Sequence, residues 1–162
     1  MKTGLAGLIL FLFSAYNFAK PVQPSTKNVV AAKFREAINT NNLELMLKLV
    51  QLPLGVDQQE WATLNKGYGF TLKERKITRL KDLKALKKFM KTFLPSIRIK
   101  GKKSTLVSQK DKENLKIELA GMKKGWRSLL VYLFLRGEGD VEHIVLLGID
   151  PLSRKIRAIY VN

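Results

Sequence analysis

Two stretches near the end of the chain are apolar at odd and even positions alike: "SLLVYLFL", Ser128 to Leu135, and "HIVLLGI", His143 to Ile149. Successive side chains of a strand point to opposite faces. A strand that is apolar on both faces has to be covered on both. The two stretches therefore predict central, fully covered strands. "GEGD" between them is a tight turn signal. "DPLSRK" turns the chain again, and "IRAIYV", Ile156 to Val161, is the last strand.

The first half of the domain reads differently. "VVAAKFREAI" places Val30, Phe34, Ala37 and Ile38 on one helical stripe. "NTNN", Asn39 to Asn42, interrupts it, and asparagine favours caps and turns. Asn41 or Asn42 can cap a second helix, "LELMLKLVQL", closed by Pro53. In "DQQEWATLNKG", Asp57 and Glu60 have the spacing of a capping box and Gly67 sits where a C-terminal cap belongs. That pattern predicts a short helix carrying Trp61 and Leu64 inward. "GFTLKERKITRL" is extended, with one strand expected around Lys76 to Leu80.

Asp82 then opens a third long helix, "DLKALKKFMKTF". Leu83, Leu86, Phe89, Met90, Phe93 and Leu94 form its apolar stripe; Lys81, Lys84, Lys87, Lys88 and Lys91 take the other side, and Pro95 ends it. "STLVSQ" and "NLKIEL" are expected to be short strands. Helices gathered on one side of an antiparallel sheet make an α+β fold. No repeat, low-complexity segment or linker divides the expected domain, residues 29–162.

Lys2 followed by the apolar run "LAGLILFLFSAY", Leu5 to Tyr16, has the form of a secretory signal peptide. The run is shorter than the roughly 20 residues of a membrane span. Cleavage is expected after Ala19, leaving a polar leader at residues 20–28 and no transmembrane span. The expected destination is secreted or periplasmic. There is no cysteine, so a thiolate metal site and a cysteine nucleophile are excluded, and the core alone must hold the domain.

Three stretches resemble the nuclear transport factor 2-like superfamily. "FREAINTNNLELMLKLV" is similar to its first helical pair. "KITRLKDLKALKKFM" is similar to its strand, turn and third helix, usually written with a Gly-Arg/Lys-Asp-Ala motif; Leu80-Lys81-Asp82-Leu83 stands in here, without the glycine. "VLLGIDPLSRKIRAIYV" is similar to its closing hairpin. A cystatin-like or other helix-on-sheet fold is the alternative. The resemblance implies a curved antiparallel sheet packed by three N-terminal helices, a cone-shaped roll with an apolar pocket, and pairing into a homodimer. Its members include ketosteroid isomerase, scytalone dehydratase, SnoaL-like cyclases, transport adaptors and non-catalytic secreted domains, so the fold does not choose the function.

An isomerase of this kind needs a carboxylate base facing a tyrosine and a protonated acid inside the pocket. The nearest candidates are Tyr132, Tyr160, Asp140 and Asp150, and both aspartates fall in turn sequences. A dehydratase would want several histidines, and His143 is the only one. No phosphate loop, nucleophile elbow or metal-ligand spacing is present. Gly121 and Gly125 flank an expected hairpin loop, with Trp126 read as core. No catalytic residue, metal site or cofactor is expected.

Phe34, Ile38, Trp61, Tyr68, Phe70, Tyr132 and Phe134 are the residues that would line an apolar pocket, if they do not simply fill the core. The lysines of the third helix read as the outward face of a docked helix. With Arg98, Lys100, Lys102 and Lys103 they could also steer an anionic partner. The net charge of +17, about +16 once Lys2 is removed, favours such partners. Nucleic acid fits poorly, because the helix's aromatics share the apolar stripe. The reading is a non-catalytic exported binding domain for a small apolar ligand or an envelope protein. An isomerase or dehydratase and a binder of anionic lipid or glycan are the alternatives.

Overall fold

The structure is a computed structural model and describes residues 29–63, 70–97, 99, 104–114, 128–136 and 143–162. Two helices come first, α1 (Val29–Asn39) and α2 (Leu43–Leu49). Each asparagine between them has a job. Asn41 takes the left-handed conformation, φ 50°, that ends α1. The amides of Asn41 and Asn42 return to Ile38 O and Ala37 O at 3.1 and 2.8 Å, a Schellman closure. The Asn42 side chain then accepts Leu45 N–H at 2.9 Å and starts α2. Asn39 exchanges two hydrogen bonds with the backbone of Ile99, tying the end of α1 to the segment after the third helix.

Two strands follow where the sequence suggested one: β1 (Val50–Thr63) and β2 (Phe70–Leu80), paired antiparallel. The short helix expected from Asp57 is absent, because Asp57 to Thr63 belong to β1; Leu64 and Gly67 lie outside the described residues. Pro53 does not close α2, which stops at Leu49; it lies within β1. Next comes α3 (Leu83–Ser96), capped by the Asp82 carboxylate, which accepts Ala85 N–H at 2.8 Å. Pro95 sits inside its last turn.

The rest is β3 (Thr105–Leu106), α4 (Gln109–Asn114), β4 (Leu130–Leu135), β5 (Ile144–Ile149) and β6 (Ile156–Val161). The expected strand at "STLVSQ" shrinks to two residues, because Ser108 caps α4 through Asp111 N–H at 3.1 Å. Asn114 ends α4 rather than opening a strand, and residues 115–119 lie outside the described part.

All six strands form one sheet in the order β2-β1-β6-β5-β4-β3. The sheet is mixed, not antiparallel throughout, because β1 runs parallel to β6. The final strand thereby becomes central, and β2 becomes a long edge. The fold class is α+β, with two hydrophobic clusters. On one face α1, α2 and α3 pack Phe34, Met46, Leu86 and Met90 against Leu54, Val56, Leu147 and Ile159. On the other, Leu146, Ala158 and Tyr160 pack with Val131 and Leu129. All six residues of β5 are buried, as its two-sided apolar pattern requires. β4 is only partly covered, and Leu130 is exposed.

Candidate functional site

On the helix-covered face, β1 and β2 change character along their length. Leu54 faces Leu80, then Val56 faces Thr78, Gln58 faces Lys76, and Glu60 faces Glu74. The pairs pass from core to charge. The reason is a mismatch of lengths. β2 has 11 residues and spans about 36 Å at roughly 3.3 Å each, whereas α3 has 14 and spans about 21 Å. Because α3 starts just past Leu80 and folds back over the sheet, it runs out before the strands do.

A cleft of about 390 Å³ lies at that place. Phe93, Ile97 and Val161 give it apolar lining; Gln58, Glu60, Glu74, Lys76 and Arg136 give it polar lining. The volume is that of a small-molecule site. Arg136 braces one wall: its guanidinium donates to Asn162 O at 2.9 Å and to Ser96 O at 3.1 Å, joining the end of α3 to the end of β6. Glu60 forms an ion pair with Lys73, whose ammonium is pushed above the ordinary lysine range by Glu60.

The opposite face of the same strands holds a polar network that the sequence reading missed. Asp57 is the one charged side chain fully buried among the described residues. Arg75 grips it with two hydrogen bonds, at 3.1 and 2.7 Å. The Gln59 side-chain oxygen accepts Trp61 Nε1–H at 3.1 Å and the Tyr160 hydroxyl at 3.2 Å. Tyr160 stands opposite Asp57 in the parallel ladder. Burial first, and the charge of Asp57 second, push the Tyr160 hydroxyl well above the ordinary tyrosine range. A buried acid beside a tyrosine is what an isomerase would use, but this carboxylate is closed to solvent and committed to Arg75.

The residues singled out from the sequence scatter. Phe34, Ile38 and Phe134 are buried in the helix-side core, with Tyr132 packed against it. Trp61 belongs to the Gln59 network on the other face. Phe70 is the first residue of β2, and Tyr68 lies outside the described residues. Of the five whose side chains are described, Phe34, Ile38, Trp61, Tyr132 and Phe134, none lines the cleft. Asp150 is a turn residue: its carboxylate accepts Ser153 and Leu152 N–H, which hold it below the ordinary carboxylate range. His143 is exposed just before β5. Lys84, Lys87, Lys88 and Lys91 are exposed along α3, while Arg98, Lys100, Lys102, Lys103, Gly121, Gly125, Trp126 and Asp140 lie outside the described residues. No helix among the described residues is long and apolar enough to cross a membrane, and none of their acidic or histidine side chains cluster as a metal site.

No protein-family model, curated protein or solved structure matches the chain.

Proposed function

We propose that the chain is an exported, non-catalytic binding domain of the nuclear transport factor 2-like type, and that its ligand occupies the cleft beyond α3. The single observation that carries this reading is the helix-side face of β1 and β2 outrunning the helix that covers it. Phe93, Ile97 and Val161 offer an apolar bed, and Glu74 and Lys76 offer polar partners beside it. That combination suits a small amphipathic molecule, or a short amphipathic segment of an envelope protein, better than a wholly apolar one. Helices α1 and α2 ahead of the sheet and α3 after β2 support the family, as does the basic start with its apolar run for export. The cone shape and the homodimer belong to the same proposal.

Catalysis finds less support, because Asp57 has no exposed surface and its carboxylate is held by Arg75. The test is amide chemical-shift mapping of the isotope-labelled chain against a library of small amphipathic compounds. The reading expects the largest shifts at Gln58, Glu74, Lys76, Ser96 and Arg136. Shifts confined to residues outside the cleft would overturn it.

A further inference from the structure

The outer face of α3 carries a second, separate surface. Lys84, Lys87, Lys88 and Lys91 are exposed, and Lys81 is exposed in the turn before the helix. At about 100° per residue the four within the helix fall in an arc of roughly 100°. No acidic residue occurs within the helix itself. Asp82, just before it, has its carboxylate turned to the amide of Ala85 as the cap. None of the five lysines forms an ion pair with another described residue, although Lys48 and Lys73 do. The helix cannot roll this face away, because Leu86, Met90 and Phe93 anchor its other side in the core.

We infer that this face docks the protein on an anionic phospholipid bilayer. The chemistry of the face decides between anionic partners. All five cations are lysines, mobile point charges that suit a diffuse layer of head groups rather than a fixed fork of acceptors. No exposed aromatic stands among them on which a base could stack, because Phe89 and Phe93 stack on each other, 4.6 Å apart, on the packed side. No apolar anchor sits in the middle of the arc, as the centre of a protein interface would require. Leu83 alone among the helix's described apolar residues is half exposed, at the rim, where it can enter the head-group layer.

The experiment is co-sedimentation of the full chain with vesicles of phosphatidylcholine, with and without phosphatidylglycerol, at low and high salt. Two variants of equal charge are compared: Lys84, Lys87, Lys88 and Lys91 all to Gln, and Lys33, Lys48, Lys73 and Lys110 all to Gln. Any affinity of the apolar run at residues 5–16 is common to all three proteins and reads as binding to neutral vesicles. The expected result is extra binding to anionic vesicles that salt removes. The α3 variant should lose about fivefold per lysine, on the order of several hundredfold in all, and the other variant much less. Circular dichroism should show both variants folded. Equal losses in the two variants, no gain from phosphatidylglycerol, or tighter binding to a single-stranded oligonucleotide at the same salt would each overturn the inference.

Discussion

The Arg75 guanidinium holds both carboxylate oxygens of Asp57, Nε to Oδ1 at 3.1 Å and Nη2 to Oδ2 at 2.7 Å. It ties the edge strand to its neighbour 18 residues away in sequence, over a carboxylate with no exposed surface. Removing one partner of a buried pair costs more than removing both, because the survivor is left charged in a low dielectric. Arg75 is partly exposed, so water softens the effect. Arg75→Ala is expected to lose about 2–4 kcal/mol in urea unfolding, and the double variant Asp57→Leu with Arg75→Leu substantially less. Equal losses in the two would show that the pair is not coupled.

Tyr160 makes alkaline stability testable. Its proton is held in the folded protein above the ordinary tyrosine range, whereas in the unfolded chain it leaves near pH ~10. A raised folded value gives a contribution that is complete below the unfolded value and declines as pH rises beyond it. Tyr160→Phe should be less stable than wild type at neutral pH by about 1 kcal/mol, for the lost bond to Gln59. It should also lose stability less steeply above about pH 10. Thermal midpoints measured against pH decide this, and parallel curves would contradict it.

Asn39 closes a two-point clasp with Ile99, donating from Nδ2 at 2.9 Å and accepting at Oδ1 at 3.2 Å. An Asn39→Ala substitution leaves both backbone groups of Ile99 unmatched, and about 1–2 kcal/mol is expected to be lost. Hydrogen exchange at the Ile99 amide should accelerate by more than exchange in β5. Unchanged protection there would mean the clasp is not maintained in solution.

The two sides of α3 should respond in opposite ways. Met90 is fully buried beneath the helix, so Met90→Ala is expected to cost about 2–5 kcal/mol through the cavity it opens. Neutralising Lys84, Lys87, Lys88 and Lys91 should change stability by less than about 0.5 kcal/mol per site, since each is exposed. Urea denaturation separates the two. A small effect of Met90→Ala would mean that α3 is not docked as described.

Much of this architecture was legible because the signals were local. The period of α3, the cap at Asp82, the asparagine break and the two-sided apolar run of β5 each depend on neighbours within a few residues. The segment from Asp57 to Trp61 failed for the opposite reason. Its Asp and Glu have capping-box spacing, yet Asp57 is satisfied by Arg75 on β2 and stands opposite Tyr160 on β6. No local pattern shows partners so distant, and the parallel pairing of β1 with β6 was hidden for the same reason. The cleft was missed because it comes from a difference in length between α3 and β2, which individual residues do not announce. The apolar side chains chosen for a pocket were the ones most useful to the core, and the core took Phe34, Ile38 and Phe134.

The most direct test of the central claim is native mass spectrometry of the protein purified from its own cells, as wild type and as Gln58→Trp. Gln58 lies opposite Lys76 on the cleft wall, so an indole there fills the space without entering the core. The account predicts a retained small molecule on the wild type that is absent from a folded Gln58→Trp. Equal retention by both proteins, or a bare wild type that also binds nothing in the library, would contradict it.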